Sequence, residues 1–322
     1  MPKFKQFGIT VVGLLVAAGA MASNFRAADQ VYLPIAGKVS NFKTDVNISN
    51  LSSDTVTVTM ALVQGPNTGA AAPQNNFPSI TLAPNERKEI LDFFPTALGL
   101  QSGAGQVLFN ACKQGSDCTG TDTSGFRNIS VESRIFAVDA NGNTSGQGFA
   151  GLPWYSYISN NQATNGTNLD KGFVVGLRQT GVNGQPGTFR TNLGFTNASQ
   201  FSTTTLTVKL FNAAGTQLGT STVTLGPLGQ SQPALNGLFP GITGSGLWMT
   251  VEQTSVTPTA DASNPAFGCT DGCPGFFTYA SVLDNITNDP TTLESQYLVP
   301  LSTQALAAIY PAGKVPKRSA KH

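Results

Sequence analysis

The chain has 322 residues, of which 40% are hydrophobic and 11% are charged, so it is long enough and apolar enough to build two domains of ordinary size. Its formal net charge of +1 conceals an acidic body. Setting aside Lys3, Lys5 and the four cations of the C-terminal tail from the 18 basic residues leaves 12 against 17 acidic ones. Phosphate binding requires clustered lysine and arginine, so nucleic acid is excluded as a partner.

The chain begins with the features of a secretory signal peptide. Two lysines precede an almost unbroken apolar run from Phe7 to Ala22, which ends in the small residues that a signal peptidase requires. We therefore expect residues 1–22 to be removed and the mature protein to be secreted, in the periplasm, at the cell surface or outside the cell. The alternative is a membrane anchor, but the run is shorter than the ~20 residues that cross a bilayer. No membrane span is expected in the mature chain.

The same nine-residue phrase occurs twice, as FKTDVNISN at Phe42–Asn50 and as FRTNLGFTN at Phe189–Asn197. Each copy is followed by alternating apolar and polar residues, which is typical of a half-buried strand. A strand ending in Leu-x-Pro, a Phe-Pro pair, a glycine-rich turn and further strands then follow in the same order both times. We interpret this as an internal duplication. Phe42 and Phe189 are expected to be buried at equivalent positions, and each terminal asparagine is expected to cap a turn.

The predicted fold is all-β, with two tandem antiparallel β-sandwich domains that are immunoglobulin-like in the broad sense. Many short strands alternate with turns rich in Gly, Pro and Asn, and convincing amphipathic helices are absent. The expected boundaries are 23–157 for the first repeat, 158–171 for a linker, 172–300 for the second repeat and 301–322 for a partly disordered tail. Contact with an anionic surface is the alternative role for this basic tail.

The repeated phrase also carries a resemblance to a known class of protein. The pattern F-[KR]-T-[DN], together with DNxTxDPT at Asp284–Thr291, resembles tandem β-sandwich repeats of secreted bacterial proteins that have no assigned activity. The first repeat departs from this pattern, because it has SRIFAVDANGNT at the corresponding position. The resemblance implies export and fold rather than a particular chemistry.

The four cysteines form two local pairs, Cys112 with Cys118 and Cys269 with Cys273, at the same position of each repeat. Local pairs in an exported protein predict two disulfides. The alternative is a zinc site made of four thiolates, but the pairs belong to different repeats and no histidine lies near them.

Histidine is informative because it is almost absent: the single one is His322, the last residue. A Ser–His–Asp or Cys–His catalytic arrangement is therefore excluded. A pair of carboxylates acting on a glycan remains as an alternative, since any two of the 17 acidic residues could converge in the fold.

Two oxygen-rich turns at corresponding positions are candidate calcium sites. The first contains Asp139, Asn141 and Asn143, and the second contains Asp284 and Asp289. Neither follows the EF-hand pattern, so a structural calcium ion competes with the simpler alternative of two hairpin turns. No other cofactor is expected.

An aromatic cluster, Trp154, Tyr155 and Tyr157, lies at the boundary between the repeats. On an exposed face these rings could contact a sugar or a protein partner, and the alternative is packing between the two domains.

The sequence therefore predicts an exported, non-enzymatic structural or adhesion protein of the cell surface or extracellular space. Its expected partner is a cell-surface glycan or protein, or a second copy of itself. One alternative is a fibre subunit that adds a strand to its neighbour, using VYLPIAG near Val31 or QYLVPLS near Gln296. The other alternative is a carboxylate-dependent hydrolase of glycans.

Overall fold

The computed structural model of the chain describes residues 27–65, 77–118, 124–156, 158–159, 171–181, 185–199, 202–257 and 275–298. The predicted signal peptide, the C-terminal tail and the pair Cys269 and Cys273 lie outside these residues, as does most of the predicted linker. No helix in the described residues is long and apolar enough to cross a membrane.

The structure is nearly all antiparallel β, which confirms the predicted fold class. The first half contains β1 (Gln30–Lys38), β2 (Phe42–Asn50), β3 (Val56–Gln64), β4 (Ser79–Leu82), β5 (Arg87–Ile90), β6 (Gly103–Lys113), β7 (Ile129–Val138), β8 (Thr144–Ala150) and β9 (Leu152–Pro153). The second half contains β10 (Ile158–Ser159), β11 (Lys171–Gln179), β12 (Phe189–Asn197), β13 (Thr203–Phe211), β14 (Gln217–Leu225), β15 (Gln230–Ser231), β16 (Gly244–Thr257), β17 (Gly275–Asp284), β18 (Pro290–Glu294) and β19 (Gln296–Leu298). The described helices are short: a π-helical turn at Phe94–Leu98, a 3-10 turn at Trp154–Ser156 and an α-helical turn at Leu235–Leu238.

The two halves have the same order of strands. Sheet 1 runs β4-β3-β6-β1-β9 and sheet 2 runs β5-β2-β7-β8, while sheet 3 runs β14-β13-β16-β11-β19. Sheet 4 contains β15, β12 and β17, with β18 and the additional strand β10 both paired to β17. Each strand of the first half thus has a counterpart in the second half whose number is higher by ten, as β14 is the counterpart of β4. An internal duplication remains our interpretation of this match.

Each half buries its core between its own two sheets. In β13 the residues Leu206, Val208 and Leu210 are fully buried, while Thr207 and Lys209 between them are half-buried. The same alternation in β3 buries Val58 and Met60. Period-two alternation directs these side chains to the inner face, and each fully buried aliphatic side chain stabilises the fold by about 1.5–3 kcal/mol.

A third apolar cluster joins the halves by packing the outer face of sheet 1 against residues of the second half. Tyr32, Val63 and Leu108 contribute from sheet 1, and Leu228 and Phe277 contribute from the second half. Sheets 1 and 4 therefore meet at the junction of the halves, where the edge strand β8 of sheet 2 also contacts β18 of sheet 4.

The threonine of the repeated phrase ties the strand to the facing sheet. Thr44 Oγ1 donates to the Gly37 carbonyl at 2.7 Å and accepts from the Gly37 N–H at 2.8 Å. In the second half, Thr191 Oγ1 donates to the Arg178 carbonyl at 2.5 Å and accepts from its N–H at 3.2 Å. Gly37 and Arg178 both lie near the end of the corresponding strands β1 and β11, where the pairing with the neighbouring strand is irregular. The hydroxyl thus satisfies buried backbone groups at matching places.

The terminal asparagine of the phrase caps a turn in both halves, as predicted. The Asn197 side-chain amide donates to the Ser202 and Gly226 carbonyls at 2.7 and 2.9 Å, and its oxygen accepts from the Ser199 N–H at 2.9 Å. Asn50 makes the same set of three contacts, with two backbone carbonyls and the N–H two residues further on. A buried amide that is fully hydrogen-bonded fixes the course of the loop around it.

The expected burial of Phe42 and Phe189 is wrong, because both are only half-buried. Each is the first residue of its strand, at the end of the sheet, so the opposing sheet covers it incompletely. The Arg178 guanidinium covers part of the Phe189 ring instead, 4.8 Å from its centroid.

Candidate interaction surface

Three aromatic side chains on neighbouring strands stack on the outer face of sheet 3. The rings of Phe211 and Trp248 are nearly parallel, with an interplanar angle of 11° and centroids 4.2 Å apart. Phe173, on the strand at the other side of Trp248, lies at 6.3 Å with an angle of 22°. The indole N–H of Trp248 donates to the Asn212 carbonyl at 2.9 Å, which fixes the ring. We refer to Phe173, Phe211 and Trp248 as the aromatic stack.

Strand alternation explains why the aromatic stack points outward. Leu210 and Met249, the neighbours of Phe211 and Trp248 in sequence, are fully buried in the second-half core. Successive side chains on a strand point to opposite faces, so the aromatic residues next to them lie on the outer face. All three rings are half-buried there, because each covers part of the next one.

The orientation of the rings restricts what the aromatic stack can bind. The rings face one another along the sheet, so they turn their edges rather than their faces to solvent. A sugar ring packs best on an open aromatic face, and the two faces of Trp248 are already occupied by its neighbours. The arrangement therefore suits an apolar protein surface better than a sugar ring.

A group of charges borders the aromatic stack on the same face. The Glu252 carboxylate lies 2.9 Å from Lys171 Nζ and 3.9 Å from Lys209 Nζ. Glu252 is largely buried, whereas both lysine side chains are more than a third exposed. Two cations around one carboxylate leave a small positive excess beside the apolar rings.

Trp154, in contrast, lies at the junction of the two halves. Its indole N–H donates to Asp29 Oδ1 at 2.8 Å. Its ring is partly buried against both the first-half core and the third apolar cluster, which joins the halves. These contacts fit the packing alternative for the predicted aromatic cluster. The side chains of Tyr155 and Tyr157 lie outside the described residues, so a binding role for these three aromatics stays a prediction.

The first candidate calcium loop forms a hairpin turn between β7 and β8. Asp139 Oδ1 accepts hydrogen bonds from the N–H groups of Asn141 and Asn143 at 2.8 Å, and Oδ2 accepts from the Asn143 side-chain amide at 2.8 Å. These hydrogen bonds, led by that of the Asn143 side chain, hold the pKa of Asp139 below its ordinary value. Gly142 has a φ of +83°, as an Asn-Gly turn requires.

The second candidate loop is built in a similar way. Asp284 Oδ1 accepts from the N–H groups of Ile286 and Thr287 at 2.8 and 2.9 Å, and the backbone hydrogen bond from Thr287 contributes most to lowering the pKa of Asp284. The N–H of Asp289 donates to Thr287 Oγ1. Among the described residues, no three His, Cys, Asp or Glu side chains form a group that could hold a metal ion. A structural calcium ion at Asp139 or at Asp284 stays a prediction.

Cys112 and Cys118 form the first predicted disulfide, at the C-terminal end of β6. The bridge closes a loop beside an ion-pair cluster, in which Asp54 lies 2.6 Å from Arg127 Nε and 3.0 Å from Lys113 Nζ. The hydrogen bond from Arg127, followed by that from Lys113, holds the pKa of Asp54 below its ordinary value. A carboxylate kept ionised by two cations suits a structural role rather than general acid catalysis.

The predicted alternative of a carboxylate hydrolase gains no residue pair from these contacts. Partial desolvation raises the pKa of Glu294, on β18, and it is the one carboxyl group in the described part of the chain with a resolved upward shift. A single raised pKa does not define the pair of carboxylates that glycoside hydrolysis requires.

The aromatic stack was not among the sites predicted from the sequence, although the sequence carries a signal for it. In TTTLTVKLF the inward residues are the leucines and valine, so the final Phe211 falls in register with outward Thr and Lys. An aromatic residue at an outward position of an alternating strand is the pattern to search for. Only the strand order brings Phe173 next to Trp248, because Phe173 lies on β11 and Trp248 on β16.

No family model matches the sequence, and no curated protein matches it either. Among solved structures the chain is similar to the apo form of a Pleurotus ostreatus lectin, with 9% identity over 85% of this chain and 77% of that chain and a TM-score of 0.18. It is also similar to Bacteroides uniformis beta-glucuronidase 2 covalently bound to cyclophellitol-6-carboxylate aziridine, with 10% identity over 79% of this chain and 24% of that chain and a TM-score of 0.15. At these TM-scores the similarities carry no argument about function.

Proposed function

We propose that the chain is an exported, non-enzymatic structural or adhesion protein that contacts a protein partner at the cell surface or in the extracellular space. The aromatic stack on the outer face of sheet 3 is the observation that carries this proposal. Apolar rings with a charged margin, on a rigid sheet, have the composition of a protein-binding surface, in which aromatic anchors supply most of the affinity.

Export is the part of the proposal that rests on the sequence. The N-terminal apolar run and the resemblance to tandem repeats of secreted bacterial proteins support it, and the Cys112–Cys118 bridge is compatible with an oxidising compartment. Mass spectrometry of the exported protein should find Ser23 as its first residue. An intact N-terminus in a membrane-embedded product would contradict this part of the proposal.

The two tryptophans of the chain provide a matched test of the binding face. We expect Trp248→Ala to reduce binding of the purified protein to intact cells at least tenfold, since it removes the centre of the aromatic stack. We expect Trp154→Ala to lower the unfolding temperature, because it removes a junction contact, while the folded fraction still binds. Binding to cells by flow cytometry, measured beside thermal unfolding, separates the two effects.

The opposite result would overturn the proposal. If Trp248→Ala bound like the wild type while remaining folded, the aromatic stack would not be the contact surface. An activity screen on a panel of glycans tests the non-enzymatic part, because release of reducing ends by the wild-type protein would show a hydrolase. Specific retention on a glycan array instead of on protein-coated surfaces would change the partner class to a sugar.

A further inference from the structure

The edge strand β14 is built for pairing with another strand. It is nine residues long, QLGTSTVTL, and pairs with β13 along one side. In the sheets of the described residues it stands at the end of its sheet, with no strand on its other side. It contains neither a charged residue nor a proline, and no charged residue occurs anywhere between Lys209 and Glu252.

The other sheet edges carry the features that normally prevent edge pairing, which are shortness, charge or a cover. In the first half, β4 has four residues, and β5 has the sequence RKEI. The edge strand β8 lies against β18 of the other half, where Thr292 Oγ1 donates to the Gly148 carbonyl at 3.0 Å. Strands β9, β15 and β19 have two or three residues each. Strand β14 is long and uncharged, and no described strand covers its free edge.

We propose that β14 pairs antiparallel with β14 of a second copy of this chain, so that the two five-stranded sheets become one continuous sheet across a two-fold axis. A two-fold interface must be self-complementary. Thr220, Thr222 and Thr224 share the outward face of β14, since the residues at the alternate positions 223 and 225 are buried. Centring the pair on Ser221 places Thr220 opposite Thr222, and centring it on Thr222 places Thr220 opposite Thr224.

Threonine pairs of this kind already stabilise the sheet from within. Thr205 and Thr224 join their hydroxyls at 3.1 Å across β13 and β14, and Thr207 and Thr254 do so at 3.0 Å across β13 and β16. Cross-strand threonine pairs of this type are favourable in antiparallel sheets. A second copy of β14 therefore continues a hydroxyl ladder that the chain has already begun, and no like charges oppose it.

The proposed pairing produces a dimer that cannot add further copies through the same edge. It therefore differs from the predicted fibre, in which each subunit adds a strand to its neighbour. An isologous interface uses the same edge of both copies and leaves none for a third. The two segments suggested there as donor strands are already paired within the chain, VYLPIAG as part of β1 with β6 and Gln296–Leu298 as β19 with β11. Because the two-fold axis is perpendicular to the joined sheet, both aromatic stacks would lie on one side, giving two contact surfaces that act together. This last consequence rests on the proposed function, whereas the dimer does not.

Sedimentation velocity of the purified protein over a wide concentration range tests the dimer. We expect the wild type to shift from monomer to dimer, and Thr222→Lys to weaken dimerisation at least tenfold because it places two ammonium groups in the interface. The matched control is Thr81→Lys, an exposed threonine on the corresponding edge strand β4, which should dimerise like the wild type. Thermal unfolding verifies that both variants are folded. A wild type that is monomeric throughout, or a Thr222→Lys dimer of unchanged affinity, would overturn the proposal.

A cross-linking experiment tests the geometry separately. Facing residues in an antiparallel pair have Cβ atoms ~4.5–5.5 Å apart. Mild oxidation should therefore give a covalent dimer of Ser221→Cys if the pair is centred on Ser221, or of Thr222→Cys if it is centred on Thr222. Thr81→Cys and the wild-type chain are the controls and should remain monomeric on a denaturing gel. Absence of the cross-link in both edge variants would contradict antiparallel pairing through β14. Loss of partner binding by Trp248→Ala with an intact dimer would leave this inference standing and test only the proposed function.

Discussion

Sheets 2 and 3 belong to different halves of the molecule, and their outer faces and edges differ in chemistry. Sheet 2 turns Asp45 of β2 and Arg134 of β7 outward as cross-strand partners, and its edge strand β5 reads RKEI. Sheet 3 turns the aromatic stack and a row of threonines outward, and its edge strand has no charge. The proposals above place association on sheet 3 and not on sheet 2, although both sheets belong to halves with the same order of strands.

The difference shows which positions the fold constrains. Inward residues, such as Val46 in sheet 2 and Val208 in sheet 3, must be apolar in both halves because they fill a core. Outward residues contribute little to stability, so they are free to differ between halves. The surfaces that we propose for binding lie at outward and edge positions, and there the two halves differ.

The largest expected effect tests whether the capping asparagines of the two halves make equivalent contributions to stability. Asn197→Ala leaves the carbonyls of Ser202 and Gly226 without their buried donor and should lower the free energy of unfolding by about 3 kcal/mol. Asn50→Ala should cost about 2 kcal/mol, because its hydrogen bonds are only partly buried. Urea unfolding measures both. Asn47→Ala, at an outward position of β2, is the control, and an Asn197 variant as stable as this control would break the comparison.

The next effect separates the first half from the second. Replacing Cys112 and Cys118 together by serine opens a loop with a sequence separation of 6 and should lower the stability of the first half by about 2 kcal/mol in the chain-entropy model. Thermal unfolding followed by hydrogen exchange should show the loss in strands β3 and β6, while β13 and β16 keep their protection. An equal loss of protection in both halves would mean that they unfold as one unit.

A smaller effect with the opposite sign is expected at the junction. Gln106 is fully buried on the face of β6 that packs against the second half, and both polar atoms of its side chain lack a protein partner. Gln106→Met keeps the side-chain length and should raise the free energy of unfolding by about 1 kcal/mol. The control is Thr278→Val, which removes a buried hydroxyl that donates to the Gly194 carbonyl at 2.9 Å and should destabilise instead. Destabilisation by both changes would show that Gln106 is hydrogen-bonded in solution.

The smallest effect concerns how the stability of the first half depends on acid pH. The pKa of Asp54 is lowered in the folded state by Arg127 and Lys113. Its contribution to stability is therefore present above the unfolded-state pKa near 3.8 and is lost as pH falls through the folded-state pKa. Asp54→Asn should flatten the decline of stability below about pH 4. Unfolding temperatures between pH 2 and pH 6 measure it, and a decline as steep as that of the wild type would remove Asp54 from the acid response.

Local pattern was sufficient to predict much of the framework. Period-two alternation predicted strands such as β3 and β13, Asn-Gly predicted the turn at Gly142, and the repeated phrase predicted the capping roles of Asn50 and Asn197. The pairing of Cys112 with Cys118 followed from their spacing. These features depend on neighbours within a few residues, so the sequence specifies them directly. The burial of Phe189 was predicted wrongly because burial also depends on how far the opposing sheet extends.

The tertiary structure decided the features on which the two proposals rest. Only the strand order places Phe173 and Phe211 on either side of Trp248, since these residues come from three strands far apart in sequence. Only the sheet topology makes β14 an edge, because an identical stretch of threonines in a central strand would already have both neighbours. The sequence by itself determined which residues alternate, turn and cross-link. Which of them share an outer face or an unpaired edge depended on long-range strand pairing, which local pattern does not encode.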